Sequence, residues 1–386
     1  MGRTVLVTGA SGALGPHLLT ELLRDEDNDE ICVLMRPGAS MTTRAQVLRR
    51  AVETLVTDVR PQRLSVVERV HPIATDIRCD NLGLQDGDRD RLERQVNVVI
   101  HAAANTRFAA PMEELNDVNV EGTRRVLELS RRCSHLRQFL LVSTTCVAGT
   151  QTGTVFERLE ERAGDFLNPY EQTKWKAERL TAEAALPVRI ARLSTCIGGE
   201  RTGYVHRFGA IHQSIRWLTR GLVPMIPAIE GSRVDLIATD VAARWLARAA
   251  ALPVAELDVC HVAAGSRAIP IHELIATAVA HLRATVSGWA DGQIEAPVIV
   301  DRATFELFER SVAQSGDALF GRVLESARSF FPALLYPKVY DTTGAEALWG
   351  GPLPLSDWRL TLGKVIDFGI ARDWRAYRGT RERTHA

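Results

Sequence analysis

The chain has 386 residues, 46% of them hydrophobic, enough to bury a large core and suited to one large α/β unit with an appended lobe as well as to two separable domains. Its 47 basic and 47 acidic residues cancel, which argues against nucleic acid or an anionic membrane surface as the main partner. No apolar run approaches the roughly 18 residues of a membrane span and the opening apolar stretch is too short for a signal peptide, so no stable membrane insertion is expected and the cytoplasm is the expected location.

Short apolar runs rich in β-branched residues fall at 4–7, 31–34, 66–72, 98–101, 139–142 and 187–192, with longer helical patterns between them at 16–24, 45–56, 120–132 and 170–185. Such alternation implies a parallel sheet covered by helices. The predicted fold is α/β: a Rossmann-type doubly wound parallel sheet with helices on both faces and a smaller, mainly helical C-terminal substrate lobe. After Gly198 the rhythm changes. Residues 198–203 read as a loop, 204–220 as a helix, and 221–231 as an apolar loop with two prolines. A strand at 234–237 and a helix at 239–250 are expected to return to the main sheet, followed by a strand at 259–263 and a helix at 271–283. The segment 303–340 carries Phe305, Phe308, Phe320, Phe330, Phe331 and Leu335, which make either a core-facing lobe or a lid over an apolar substrate. The predicted division is a Rossmann-type domain over 1–200, rejoined by 234–265, and a smaller lobe over 201–233 and 266–386.

Six cysteines, at 32, 79, 133, 146, 196 and 260, have no CxxC spacing and read as reduced fillers. His206 and His212 lie six residues apart, off a common helical face and without a partner cysteine or carboxylate; they read as packing or pocket residues, and no metal is expected.

Thr8-Gly9-Ala10-Ser11-Gly12-Ala13-Leu14-Gly15 stands between the first strand and the first helix. Glycines there permit a tight turn, close approach of backbone amides to a pyrophosphate, and close packing of helix on strand. At the end of the second strand an acidic residue would select NAD, but the chain has Arg36. A guanidinium suits the 2′-phosphate of NADP, with Arg44 as a second contact, although a solvated arginine is an alternative in a chain with 43 of them. Lysine is rare, with four in all, and one of these, Lys174, follows Tyr170 by four residues. On a helix the two share a face, where Lys174 can depress the pKa of the phenol and make it a usable acid or base. From this pair alone, a solvated surface Tyr and Lys is the alternative. The fifth strand ends in Ser143-Thr144-Thr145, which sets hydroxyls at the carboxyl edge of a parallel sheet, where α/β ligands bind.

In this order, Thr-Gly-x-x-Gly-x-x-Gly at 8–15, Asp76-Ile77, His101-Ala-Ala-Ala104, Asn119-Val-x-Gly122-Thr123, Val142-Ser-Thr144 and Tyr170-x-x-x-Lys174 resemble the extended short-chain dehydrogenase/reductase family. The resemblance implies that Thr8, Gly9, Ser11, Gly12, Ala13, Leu14 and Gly15 hold the dinucleotide. It also implies that Asp76 and Ile77 flank the adenine, that Ala102, Ala103 and Ala104 line the nicotinamide riboside, and that Lys174 bonds the ribose. By the distance to Gly149 it puts the catalytic hydroxyl at Thr144, beside Tyr170, with Ser143 and Thr145 as alternatives. Asn119 would order a water relay behind Lys174; a helix cap or turn is the alternative. Leu193 stands where many members have proline, which leaves the contacts to the nicotinamide carboxamide open.

Finer features are most similar to the fatty acyl-CoA reductase and thioester reductase branch: Asn81-Leu-Gly-Leu84, His101-Ala-Ala-Ala-Asn-Thr-Arg-Phe108, Tyr170-Glu-Gln-Thr-Lys-Trp-Lys-Ala-Glu178, Val234-Asp-Leu-Ile-x-x-Asp240-Val and Tyr340-Asp-Thr-Thr343. That branch implies an NADPH-dependent reductase of an acyl thioester, carried by coenzyme A or an acyl carrier protein, yielding an aldehyde and in a second round an alcohol. With no room for an adenylation or carrier domain, the activated acyl group is expected from outside. A ketone or secondary-alcohol oxidoreductase, with a sugar-nucleotide or steroid-like substrate, is the alternative, and a non-catalytic NADP-binding sensor is the third reading. A homodimer is compatible with the sequence.

Overall fold

The computed structural model describes residues 2–36, 41–56, 67–159, 165–254, 256–327 and 330–375. The first half runs β1 (Arg3–Thr8), α1 (Gly15–Arg24), β2 (Asn28–Met35), α2 (Met41–Val56), β3 (Val70–Ala74), α3 (Asp86–Gln95), β4 (Val98–His101), α4 (Met112–Asn116), α5 (Gly122–Arg132), β5 (Gln138–Thr144), β6 (Gly153–Val155), α6 (Pro169–Ala182) and β7 (Val188–Leu193). Then follow β8 (Thr195–Cys196), α7 (Ala210–Thr219), β9 (Met225–Pro227), β10 (Arg233–Val234), β11 (Leu236–Ile237), α8 (Thr239–Ala251) and β12 (Asp258–Val262). The chain closes with β13 (Ile269–Pro270), α9 (Ile271–Thr285), α10 (Ser287–Ala290), β14 (Val298–Val300), α11 (Arg302–Ser315), α12 (Ala318–Ala327), β15 (Lys338–Tyr340), α13 (Thr343–Trp349) and α14 (Trp358–Ala371).

Seven strands form one parallel sheet in the order β12-β7-β5-β4-β1-β2-β3. This is the Rossmann arrangement, in which the chain reverses direction across the sheet between β1 and β4. Alternate residues of each strand feed opposite cores. Val5, Val7, Ile31, Val33, Ile100 and Leu140 pack with α1 and α8, while Leu6, Cys32, Leu34, Val99, Phe139 and Leu141 pack with Leu92 of α3 and Val126 and Leu127 of α5. Because both faces are covered, the strands read as unbroken apolar runs rather than alternating ones.

Four expected elements differ. The third strand spans Val70–Ala74 rather than 66–72; residues 67–69 form a turn, and residue 66 lies outside the described residues. Pro72 is accommodated because β3 is the sheet edge, where a missing amide hydrogen is tolerated. The helix expected at 120–132 begins earlier: α4 continues through a π-turn, Asp117–Glu121, into α5. The helix expected at 204–220 starts only at Ala210, because the imidazole of His212 accepts the Gly209 amide at 2.9 Å and caps it there. The strand at 234–237 does not rejoin the main sheet. Asp235 turns its carboxylate to the amides of Ala264 (2.7 Å) and Gly265 (2.8 Å), which splits the run into β10, paired with β13, and β11, paired with β8. The helix after it, α8, does return, laying Trp245 and Leu246 in the core beside α1.

The C-terminal lobe has its own apolar core, drawn from α7, α9, α11, α12 and α14. Phe305 and Phe331 are buried in it, with Phe308 and Phe330 packed against it; Phe320 stacks edge-on to Phe308, and Leu335 is half-buried. The segment after β15 leaves the lobe: Ala345 and Leu353 join the core beneath α8, where the Trp245 indole donates to the Ala345 carbonyl at 3.0 Å. Among the described residues, no helix is long and apolar enough to cross a membrane.

Candidate active site

The loop after β1 is shaped by contacts that exclude side chains. Gly9 has a positive φ of 76°, and a Cβ on it would lie 2.5 Å from the Ala102 carbonyl carbon; a Cβ on Gly15 would lie 1.7 Å from the Ala10 oxygen. Between them Gly12 donates to the Gly9 carbonyl at 2.8 Å, while Ser11 and Ala13 face outward and Leu14 packs inward. The result is a backbone cradle at the N-terminus of α1, a geometry and a dipole that fit a dinucleotide pyrophosphate. Thr8 is fully buried, and its hydroxyl serves the cradle from below, bonded to His101 Nδ1 (2.7 Å) and to the Ala103 amide (3.0 Å). His101 Nε2 meets the Thr123 hydroxyl at 3.0 Å, and burial drops this histidine to a pKa of about 3, so it is a neutral brace. Ala102, Ala103 and Ala104 are half-buried beside it.

Arg36 is exposed just past β2, close enough to Asp76 for its charge to act on that carboxylate. Asp76 is held below its usual range chiefly by Arg78, which forks onto it through Nε (3.0 and 3.2 Å) and Nη2 (2.6 Å). Ile77 is buried under Gly122, where a Cβ would meet its side chain at 2.9 Å. Arg44 falls in α2, but its side chain lies outside the described residues.

At the carboxyl edge of β5, Thr144 accepts the Cys146 amide at 3.1 Å, and its hydroxyl interacts with the Tyr170 phenol. Tyr170 lies in the first turn of α6, whose start is fixed by Pro169 and by an exchange between Asn168, which accepts the Glu171 amide at 3.0 Å, and Glu171, which accepts the Leu167 amide at 2.8 Å. Phe108 stacks edge-on to Tyr170, with ring centres 5.0 Å apart. Lys174 is one turn further along, its ammonium donating to the Val142 carbonyl at 3.0 Å. The expected depression of the Tyr170 pKa is reversed. Burial pushes it up, reinforced by Cys146, while Thr144 opposes; Lys174 spends its charge on Val142 and is itself lowered by burial to about 8. Asn119 sits in the π-turn with its amide engaged: Oδ1 accepts the Asn105 amide (2.8 Å), and Nδ2 donates to the Asn105 carbonyl (3.1 Å) and the Thr173 hydroxyl (3.0 Å). It thus braces the loop after β4 against α6, and a π-turn at such a point is common where function needs a side chain re-aimed.

His206 bonds the Tyr204 hydroxyl at 3.0 Å, and both it and His212 pack within the fold. Three buried residues received no role from the sequence. Glu178, Arg192 and His261 form a hydrogen-bonded chain beneath Lys174, linked by Arg192 Nη2 to Glu178 at 2.7 Å and Arg192 Nη1 to His261 at 3.2 Å. The i,i+4 spacing of Lys174 and Glu178 was the one local signal for it.

The profile of one family, described as male sterility protein, matches residues 7–246. Glycine betaine reductase ATRR of Emericella nidulans is 26% identical over 279 residues, 67% of this chain and 21% of that protein. Fatty acyl-CoA reductase 1 of Xenopus laevis is 26% identical over 271 residues, 62% of this chain and 53% of that protein. The chain thus spans from about a fifth to about half the length of these curated relatives. Among solved structures, the terminal R domain of the myxalamid PKS-NRPS pathway superposes with a TM-score of 0.77 at 23% identity, over 97% of this chain and 92% of that one.

Proposed function

The chain belongs to the male sterility protein family, within the extended short-chain dehydrogenases/reductases, and from this premise we propose that it is an NADPH-dependent reductase of acyl thioesters, carried by coenzyme A or an acyl carrier protein. The observation that supports this most is the meeting of Thr144, Tyr170 and Lys174 at the end of β5, next to the glycine cradle. The fatty acyl-CoA reductase among its relatives supports a thioester as substrate.

When bound, NADPH supplies the hydride. The cradle of 8–15 and the α1 N-terminus hold its pyrophosphate, Arg36 its 2′-phosphate, Asp76 and Ile77 its adenine, and Ala102–Ala104 with Lys174 its nicotinamide riboside. Arg44 is the further expected contact to the 2′-phosphate. Thr144 and Tyr170 donate hydrogen bonds to the substrate carbonyl oxygen as it gains charge, where fixed donors are worth most. With its pKa raised by burial, Tyr170 keeps its proton at neutral pH and gives it to that oxygen. As the C–S bond breaks, that proton leaves the oxygen with the departing thiolate, giving a thiol and an aldehyde, and a second hydride with a second proton at the same residues gives the alcohol. Residues 1–200 with 234–265 are assigned to the nucleotide part, in which α8 and β12 pack with the sheet while Val234 and Leu236 join the lobe; the apolar segments 204–230 and 303–340 receive the acyl chain. A cytoplasmic location is supported by six free cysteines.

The purified protein is tested with NADPH and with NADH against acyl-CoAs, acyl carrier proteins, aldehydes and ketones. Oxidation of NADPH with thioesters is the expected result; turnover of ketones without thioesters would sink the reading, and cofactor binding without any turnover would favour a sensor. Tyr170→Phe should lower kcat by roughly 100- to 10,000-fold while leaving NADPH affinity intact. Loss of both would make the tyrosine structural.

A further inference from the structure

Three consecutive residues of β5 hold three consecutive turns of α6. The Val142 carbonyl accepts Lys174, the Ser143 hydroxyl donates to Glu178 Oε1 at 2.5 Å, and Thr144 meets Tyr170. Positions 170, 174 and 178 share one helix face, so the carboxylate lies one turn below the ammonium, which lies one turn below the phenol.

Glu178 is completely buried and paired with Arg192, itself only 1% exposed, through Arg192 Nε (3.0 and 3.1 Å) and Nη2 (2.7 Å). Arg192 Nη1 donates to His261 Nε2 at 3.2 Å, which leaves the proton of that imidazole on Nδ1, 2.8 Å from the Asp341 carbonyl. The chain of bonds ties α6 to β5, β7, β12 and the segment after β15. As a source of stability a buried ion pair is poor, since desolvation consumes its attraction. Its position is the informative feature. Around Lys174, β5 offers a carbonyl, β4 a neutral His101, α6 a neutral Tyr170, and the π-turn reaches α6 through the neutral Asn119–Thr173 bond; among the described residues, Glu178 is the acidic side chain whose charge acts on it. Arg192, on β7, is bonded to that carboxylate.

We propose that Glu178 is a positioning residue for the reaction: its carboxylate, fixed by Ser143 and Arg192, keeps Lys174 an ammonium directed at β5 beneath Tyr170. This rests on the reading of Lys174 as part of the proton-transfer site, but its test does not depend on which substrate is turned over. Lysine carrying 13C at Cε gives four signals in a chain with four lysines, and Lys174→Arg identifies the signal of Lys174. In the unaltered protein that signal should titrate with a midpoint of about 8. Glu178→Gln should lower the midpoint by about one pH unit and move the alkaline limb of the NADPH-oxidation profile down with it, and Glu178→Asp should restore part of the shift. Because Glu178→Gln strands a buried guanidinium, the double variant Glu178→Gln/Arg192→Gln, which keeps a bonded pair without charge, is measured beside it and should shift in the same direction. An unmoved midpoint in a folded variant overturns the proposal. So does failure of both variants to fold, which would confine Glu178 to the architecture. A shifted midpoint in a protein that reduces no thioester would leave this inference standing and remove the proposed function instead.

Discussion

Tyr170 and Glu171 are neighbours whose ionisation burial pushes the same way, and both lie in the first turn of α6. For the phenol the consequence is chemical: it keeps its proton at neutral pH, which fits the proposed quenching of an oxyanion better than the abstraction of a proton. For Glu171 it concerns stability, because burial raises its carboxyl to about 7, against a usual value near 4.5. Between those values the folded chain binds a proton that the unfolded chain has released, so stability falls as pH rises through this window and is lowest above about 7. Glu171→Gln lacks the titration and should remove this part of the slope. Urea unfolding at pH 5 and pH 8 should show the parent losing on the order of 2 kcal/mol more than the variant, and parallel losses would refute it. At this scale the sequence named Tyr170, Lys174 and Thr144 as candidates, and the fold brings them together, but it misjudged the phenol, because burial is a property of Phe108, Ala110 and Leu115, which close over it from another part of the chain. Glu178 was visible as a letter; its partners, 14 and 35 residues away, were not.

The elements that were legible are those whose signal is local. β1, β4, β5 and β7 are buried on both faces and announce themselves as apolar runs, and the loop after β1 announces itself by glycine spacing. The π-turn around Asn119 and the break at Asp235 have no such signal, since bonds to Asn105, Thr173, Ala264 and Gly265 impose them from a distance. The cradle glycines make an element-level contrast. A methyl on Gly15 would overlap the Ala10 backbone at 1.7 Å, and neither α1 nor β1 can retreat from the packed core; a methyl on Gly12 would meet the Gly9 oxygen at 3.0 Å, which a shift of a few tenths of an ångström relieves. Gly15→Ala should therefore cost roughly 1–3 kcal/mol, seen as a lower Tm, and abolish NAD(P) binding, whereas Gly12→Ala should keep the Tm and weaken binding. Equal losses of Tm in both variants would contradict the contrast.

At the scale of the molecule, the C-terminal lobe and the seven-stranded sheet have separate cores, and one of the crossings of the chain between them runs through β15. β15 pairs with β6 in parallel, and the chain then turns into α13, beneath α8. Glu157, just past β6, fastens that turn: Oε1 accepts the His261 amide at 2.6 Å and the Ala345 amide at 3.0 Å, and Oε2 accepts the amide of Gly344. Gly344 is needed for this approach, since a Cβ there would stand 2.8 Å from the carboxylate. His261, whose amide Glu157 holds, also bonds the Asp341 carbonyl through Nδ1 and so ends the chain of bonds behind Lys174. Removing the carboxylate leaves three amides without their charged acceptor, and such bonds contribute about 1.5–3 kcal/mol each without being additive. Glu157→Ala should thus lose on the order of 3 kcal/mol, and the loss should be uneven. Hydrogen exchange should accelerate at 338–349 and at His261, while the amides of α11 and α12 in the lobe keep their parent rates, because their core is made without this strap. Acceleration spread evenly over sheet and lobe would mean that the two cores unfold as one unit and that Glu157 is merely one more bond within it.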